Sequence, residues 1–527
     1  MNMGFGIWDL EPRKKSETQF DSHLLNDLGI KINNLVTDSR MVKPGDTFLA
    51  YAGDKSDARE FIPQAIAAGA NAVLWERQHG FVWNPAWQIP NLPIAKLKAK
   101  AGMIASQIYG QPSQKLWLVG ITGTNGKTSC SHWIAQAMTA LGRKTAVIGT
   151  LGNGFPGALK STTNTTPDAV LLQQEIADFL QHGAECVAME VSSHGIEQER
   201  INGAAFAAAL FTNLSRDHLD YHGSMKEYAA VKARLFFWPG LKYAVLNLDD
   251  VMGIELSQRL AGMPMQIIGY RFEEPGIGNG DSGKTSVVQG SNLKSGIGGL
   301  EFDITFKNER EKFKTEVVGR FNASNLLAVL AVLLASGIKL ADAVQAVQQV
   351  RPIAGRMERL GGGDQPLVVV DYAHTPDALE KVLTTLREVL RSSESNQETK
   401  TRNSKLVCVF GCGGERDRGK RPLLGQVASR LADEVIITSD NPRSENPRDI
   451  INEIAATTDT NYHIEEDRAA AIYRAIHDAR QGDVVLIAGK GHEVYQEIGK
   501  HKFPFNDSEV ARQVLQDLAD QIVQVQG

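Results

Sequence analysis

The run Gly123-Thr-Asn-Gly126-Lys127-Thr128 constrains this chain more than any other feature. It lies between an apolar stretch at 116–121 and an amphipathic one that reaches Leu141 and stops at Gly142. A glycine-rich turn leading from a strand into a helix aims backbone N–H groups and the positive helix terminus at one point, which suits phosphate. In that setting Lys127 reaches the β and γ phosphates of a nucleotide, and Thr128 offers its hydroxyl to Mg²⁺. Gly123, Thr124, Asn125, Gly126 and Ser129 complete the nucleotide side of the loop. One departure is visible: the usual phosphate loop has a glycine five positions before Gly126, and here that position is Ile121.

The apolar run at 145–148 completes a βαβ unit, and further runs at 186–191, 208–212 and 244–248 extend it to a mostly parallel sheet covered by helices. Residues 273–300 are rich in Gly and Ser. After them Phe302, Ile304 and Phe306 alternate with polar residues, the period of a half-exposed strand, so a small antiparallel addition is expected. A second α/β series with runs at 367–370, 406–410, 434–438 and 484–487 reads as a separate Rossmann-like domain. The polar stretch at 392–404 is expected to be a surface loop.

At about 150 residues per domain, a chain of 527 residues calls for roughly three. The fold class is therefore α/β in three domains. A smaller N-terminal α/β domain takes 1–112, a central phosphate-loop domain with a parallel mononucleotide-binding sheet takes 113–350, and the Rossmann-like domain takes 351–527.

The formal charge of −5 leaves no global basic field for nucleic acid or anionic lipid, so any polyanion must be met locally. Four cysteines in so long a chain are no disulfide framework; Cys130, Cys186, Cys408 and Cys412 read as small buried residues in a reducing compartment. The N-terminus lacks a secretory h-region, and the longest apolar stretch, 326–335, is half of the roughly 20 residues a membrane span needs. A cytoplasmic protein without a membrane span, acting as a monomer, is expected.

Four ordered blocks carry a resemblance: GITGTNGKTS from 120, MEVSSHG from 189, TNLSRDHLDYHG from 212 and GRFNASN from 319. Together they resemble the Mur ligases, and in part the related folylpolyglutamate synthetases. DSRMVKPGDTFLA from 38, DYAHTPDAL from 371 and GKGHE from 489 extend the similarity over nearly the whole chain. Within the family, GCGGERDRGKRP from 411 and DNPRSE from 440 are similar to the diaminopimelate-adding branch.

The resemblance implies an ATP-dependent amide-bond ligase of peptidoglycan precursor synthesis. Joining a carboxylate to an amine in water is uphill, so the carboxylate is first made electrophilic by the γ-phosphoryl group of ATP, giving an acyl phosphate. That step gathers anions, which calls for Mg²⁺ and cationic side chains. By resemblance, Lys127, Glu190, His218 and Lys232 are the catalytic set, and Thr128, Glu190, His218 and Lys232 surround Mg²⁺. Lys232 matches the position that these ligases carry as a carbamylated lysine, although by spacing alone it is an ordinary helix-surface lysine. An amine with a pKa near about 10.4 would repel Mg²⁺, whereas the carbamate formed with CO₂ supplies an anionic oxygen.

The same resemblance implies UDP-N-acetylmuramoyl-L-alanyl-D-glutamate between the first two domains. Ser39 is then near the nucleotide, with Thr165, Thr166, Ser192, Gln198, Arg200 and Lys232 near the muramoyl dipeptide. ATP falls between the second and third domains, beside Asn322, Asn325, Arg356 and Asp371; Asn322 has a competing reading as an N-cap. The amino-acid acceptor is meso-diaminopimelate, met by Arg416, Asp440, Asn441, Arg443, Gly489 and Glu493. Arg443 can grip its far carboxylate in two parallel hydrogen bonds, and with lysine in its place Arg443 is expected to lack an anion.

Overall fold

The computed structural model describes residues 20, 23–26, 29, 31–53, 56–78, 80–272, 285–296, 298–394 and 404–526. Most of the polar stretch at 392–404 and the first part of the Gly/Ser-rich stretch lie outside the described residues.

Three sheets organise the chain in sequence order. The first is a four-stranded parallel sheet of Leu35–Val36, Thr47–Ala50, Ala72–Glu76 and Asn91–Ile94, backed by the helix Leu97–Ile108. The central sheet has eleven strands. Its parallel heart runs Tyr243–Asn247, Ala208–Phe211, Trp117–Thr122, Cys186–Glu190, Thr145–Gly149. The antiparallel addition expected around Phe302 is present as Gly299–Phe306 paired with Glu309–Thr315 and with Thr285–Gly296. That last strand falls inside the Gly/Ser-rich stretch. A second antiparallel addition, Gly152–Phe155 and Ala158–Lys160, closes the opposite edge and has no counterpart in the sequence reading.

The apolar run at 326–335 belongs to the helix Arg320–Ala335, which is buried on nearly every side against the central sheet and the helix Lys127–Ala140. All-round burial explains why its composition lacks an amphipathic stripe.

In the third sheet the order is Glu358–Gly361, Leu367–Asp371, Val484–Ala488, Leu406–Phe410, Glu434–Ile437, Tyr462–Ile464, and only the first strand is antiparallel. Alternate side chains of its strands face two cores. Val369, Cys408 and Leu486 meet the helices Pro376–Glu394, Lys420–Leu431 and Pro447–Ala455, while Val368, Val407 and Val485 meet Arg468–Asp478 and Asp507–Gln526. Helices on both faces of a parallel sheet put the loops at its carboxyl edge in reach of ligands. All four cysteines are buried and free.

The first and second sheets are joined by backbone contact. A Cβ at Gly102, inside the helix Leu97–Ile108, would lie 1.9 Å from the carbonyl oxygen of Asn202, and one at Gly203 would lie 2.2 Å from that of Gly102. Asn202 Nδ2 donates to Ala99 O at 2.9 Å, and Gln174 Nε2 to Leu35 O at 2.8 Å. Gly102→Val therefore has to force the two domains apart, at a cost of about 1–3 kcal/mol. A urea-denaturation midpoint equal to the parent's would refute this close packing.

Candidate active site at the carboxyl edges of two sheets

The strand Trp117–Thr122 delivers the glycine loop to the edge of the central sheet, and Gly126 caps the helix Lys127–Ala140 in a left-handed conformation, φ 86°. A Cβ there would lie 2.5 Å from Asn325 Oδ1, and one on Gly123 would lie 1.9 Å from Thr212 Oγ1. The loop is glycine at these two places because Asn325 on the helix Arg320–Ala335 and Thr212 just beyond the strand Ala208–Phe211 crowd it. Lys127 Nζ donates to Gly123 O at 2.9 Å and Thr124 O at 2.8 Å, so the ammonium is held in the mouth of the loop.

Glu190 ends the adjacent strand with no exposed surface. Its carboxylate accepts from Thr150 N at 2.9 Å and from the hydroxyls of Thr150 and Thr128, both at 3.1 Å. Arg356 Nη2, from the third domain, donates to the same Thr128 oxygen at 3.1 Å. The Thr128 hydroxyl and the Glu190 carboxylate form a hard oxygen donor pair beside the phosphate loop. Among the described residues no group of three or more His, Cys, Asp or Glu forms a metal cage. Two oxygen donors beside a phosphate site fit Mg²⁺, which keeps several water and phosphate ligands.

Lys232 lies on the helix Met225–Ala233 and is buried, not on the surface as its spacing suggests. Its Nζ donates to Gly123 O at 2.8 Å and sits 4.4 Å from the Tyr228 ring centroid. Burial, reinforced by the nearby Lys127 cation, pushes its pKa well below the ordinary lysine value against the pull of Asp217. His218 adopts φ 54°, and its Nε2 lies 3.2 Å from Asp217 Oδ2. Desolvation lowers its pKa to about 3 despite that carboxylate. Burial opposes the charge on Asp217, but the His374 hydrogen bond and then His218 outweigh it and hold the carboxyl well below its usual range.

Thr166, Ser192 and Arg200 form one network. The Thr166 hydroxyl donates to Glu190 O at 3.0 Å and lies 3.1 Å from Ser192 Oγ; Arg200 Nη1 donates to Thr166 O at 2.9 Å. Arg200 Nη2 donates to Gln198 Oε1. Thr165 Oγ1 lies 3.1 Å from Thr150 Oγ1. Ser39 is not in this network; its hydroxyl donates to Gln64 Oε1 at 3.0 Å within the first domain.

A cleft of about 860 Å³ opens between the second and third domains, lined by Asn125, Gly126, Asn322, Asn325, Arg356 and Asp371 among others. Gly319, not Asn322, is the N-cap of the helix; Asn322 Nδ2 donates to Val318 O, and its oxygen accepts from Asn325. Arg356 also stacks its guanidinium 4.4 Å from the Tyr372 ring centroid. Asp371 accepts the backbone N–H groups of Met357 and Ala373, both at 2.8 Å, and burial raises its pKa.

The carboxyl edge of the third sheet gathers Asp440, Asn441 and Glu493 around a residue the sequence reading passed over, Lys490. Its fully buried Nζ reaches Glu493 Oε2 at 3.0 Å, Asn441 Oδ1 at 3.1 Å and Asp440 Oδ1 at 3.4 Å. Gly489 precedes it at φ 111°. Arg443 is half-buried rather than solvated, and it already has an anion: Nε lies 3.0 Å from Glu497 Oε2, and Nη1 donates to Gly414 O at 2.7 Å. The expectation that lysine would leave Arg443 without any anion is corrected by Glu497. Arg416 is exposed and meets only Glu415 O, at 3.4 Å. Asp217, His374 and Lys490 all stand inside motifs that were noticed, but their partners come from distant segments.

Known proteins match this architecture. Models of the Mur ligase family match in order: the catalytic domain at 31–109, the middle domain at 121–333 and the glutamate ligase domain at 355–491. A Nitrosomonas europaea protein named UDP-N-acetylmuramoyl-L-alanyl-D-glutamate–2,6-diaminopimelate ligase is 61% identical over 96% of this chain and 97% of its own. A Chromobacterium violaceum protein of the same name is 48% identical over 96% and 99%. A solved structure of a ligase of that name is 35% identical, with a TM-score of 0.63, and covers 93% of this chain and 95% of its own. Identity at this level, running nearly end to end in both partners, requires common descent and not merely a shared sheet topology, and the chain therefore belongs to the Mur ligase family.

Proposed function

We propose that this chain is the ATP-dependent ligase that joins meso-2,6-diaminopimelate to the D-glutamate of UDP-N-acetylmuramoyl-L-alanyl-D-glutamate, in peptidoglycan precursor synthesis. The observation that carries the reading is the buried cluster of Asp440, Asn441, Lys490 and Glu493 beside Arg443, at the same carboxyl edge as the nucleotide cleft. Relatives of that name spanning almost the entire chain support it. The domains divide at 1–112, 113–350 and 351–527, and the protein acts as a cytoplasmic monomer. Among the described residues no helix is long and apolar enough to cross a membrane.

ATP lies in the interdomain cleft with its phosphates on residues 123–129, its nucleoside beside Asn322 and Asn325, and Arg356 and Asp371 on the facing domain. A glutamate carboxylate oxygen attacks the γ-phosphorus and ADP leaves. The neutral amine of diaminopimelate then attacks the acyl carbon, phosphate leaves, and the amine proton passes to solvent. Lys127 and Arg356 neutralise the charge that gathers in the first step. Thr128 and Glu190 would hold Mg²⁺, with His218 and a carbamate on Lys232 completing the surround. The ion supplies charge neutralisation between phosphate oxygens when bound.

Carbamylation needs a neutral amine, and a buried Lys232 beside the Lys127 cation is the group most ready to be neutral. Its nitrogen adds to CO₂ and releases one proton. Ser39 holds the uridine side of the UDP substrate, while Thr165, Thr166, Ser192, Gln198 and Arg200 hold the muramoyl dipeptide. The far carboxylate of diaminopimelate goes to Arg443, with Arg416 as an outer cation. Asp440, Asn441, Gly489 and Glu493 receive the ammonium groups.

Weighing the product formed from ATP, Mg²⁺, the UDP-muramoyl dipeptide and each diamino acid tests the whole reading. The diaminopimelate adduct is expected, and a lysine adduct alone would reject it. Lysine should be disfavoured by at least about a hundredfold in kcat/KM. Arg443→Ala should shrink that ratio; an unchanged ratio removes Arg443 from the specificity site.

Lys127→Ala should lose several kcal/mol of transition-state stabilisation, roughly a thousandfold or more in kcat/KM, and a folded variant with near-parent turnover would sink the phosphate-loop assignment. Lys232→Ala should be inactive and partly restored by acetate, a small anionic oxygen donor. Full activity without acetate would reduce Lys232 to packing.

A further inference from the structure

In the third sheet Glu434–Ile437 and Val484–Ala488 are not neighbours, because Leu406–Phe410 lies between them. Ladder hydrogen bonds link adjacent strands about 4.8 Å apart, so no ladder fixes the separation of these two directly. Yet they are the strands that lead into Asp440-Asn441 and into Gly489–Glu493.

One side chain spans them. Arg468, the first residue of the helix Arg468–Asp478, donates from Nη1 to Ser439 O at 3.4 Å and from Nη2 to Ala488 O at 3.0 Å. These are the carbonyls immediately before Asp440 and Gly489. The guanidinium is itself gripped by Asp507, the first residue of the C-terminal helix, through two bonds of 2.7 Å, and both side chains have no exposed surface.

We propose that the Arg468–Asp507 pair is a positioning device for the acceptor pocket, fixing the gap between the turn at Asp440-Asn441 and the turn at Gly489–Glu493. The proposal rests on the acceptor reading given above. The planar fork explains the residue type: three hydrogen-bond directions in one plane meet two carbonyls and a carboxylate, which an ammonium on a flexible stem does not reproduce. The cation also reaches the pocket electrically. Against the burial that disfavours charge on Asp440, Lys490 and then Arg468 hold its carboxyl below the ordinary range. Lys490 ties the ligand side chains to each other, and Arg468 ties the backbones that carry them.

A buried ion pair can also be merely structural, and the test separates the two roles. Replacing both partners by apolar residues of similar volume, Arg468→Met with Asp507→Leu, generally preserves stability, whereas Arg468→Met alone strands Asp507 without its cation. The double variant is expected to regain the thermal midpoint lost by the single one. Its KM for the diamino acid should nevertheless stay raised by about tenfold, with the KM values for ATP and the UDP substrate within about twofold of the parent's. A diamino-acid KM at the parent value in that stable variant overturns the proposal.

Arg468→Lys keeps the charge and loses the fork. It should raise the same KM by a smaller factor at near-parent kcat, and no change in KM there overturns the proposal even if the double variant fails to fold. The parent enzyme assayed with both diamino acids keeps the two readings apart. If it joins only lysine, the acceptor assignment falls, and the positioning role is read from the KM for lysine instead.

Discussion

A carboxylate removed from water is costly unless donors surround it, and Glu190 is such a group at the centre of this molecule. Its donors come from two separate places: the Thr150 amide and hydroxyl beyond one strand, and the Thr128 hydroxyl on the helix after the phosphate loop. Each must be in position for the charge to be tolerated, so the three strand ends are fixed relative to one another. Gly149 belongs to the same constraint, since a Cβ there would lie 2.2 Å from Glu190 Oε1. Thr166 extends it by binding the Glu190 carbonyl, and Arg200 binds Thr166 in turn. A single buried carboxylate thus orders both the oxygen pair beside the phosphate loop and the Thr166–Arg200 network.

Buried cations perform the corresponding task elsewhere. Lys232 sits against Gly123 O in the phosphate loop, and Lys490 sits among Asp440, Asn441 and Glu493. Neither location is what a lysine's usual surface habit suggests. An ammonium without solvent needs oxygen partners, and each of these has them within about hydrogen-bond length. The two lysines differ in company: Lys490 faces two carboxylates, whereas Lys232 faces a carbonyl and another cation, and burial with that cation pushes the Lys232 pKa well below the ordinary lysine value.

Periodicity made the parallel strands and their helices legible, because a strand covered on both faces is apolar along most of its length, as Leu406–Phe410 and Val484–Ala488 are. It failed at Gly152–Phe155 and Ala158–Lys160, whose glycines and polar residues lack the alternation that marks a strand; backbone pairing to a neighbouring edge forms them instead. Thr285–Gly296 was hidden for the same reason. Phosphate-loop residues were legible because their chemistry is contiguous. Lys490, Asp217 and Glu497 were not, since what distinguishes each is a partner dozens of residues away or in another domain. Arg443 illustrates the limit: its motif identified a cation, but only the fold brought Glu497, on the antiparallel pair Tyr495–Ile498 and His501–Pro504, against it.

The two domain junctions differ in kind, and this bears on how the site works. Between the first and second domains, Gly102 and Gly203 bring backbone against backbone with no room for a side chain, so the junction cannot slide without opening a gap. Between the second and third, Val318 and Phe321 pack into the apolar core of the third domain, and polar side chains meet around the phosphate loop: Asn125 with Asp377 at 3.1 Å, Arg356 with Thr128, Asp217 with His374 at 3.7 Å, and a partly exposed Arg216–Asp417 pair at 3.3 Å. Of these polar contacts, the exposed Arg216–Asp417 pair contributes about 0–1 kcal/mol. Every one involves the loop or its immediate neighbours, where a nucleotide's phosphates would compete for the same donors. The second junction thus combines an apolar contact with hydrogen bonds beside the phosphate loop, whereas the first is set by backbone packing.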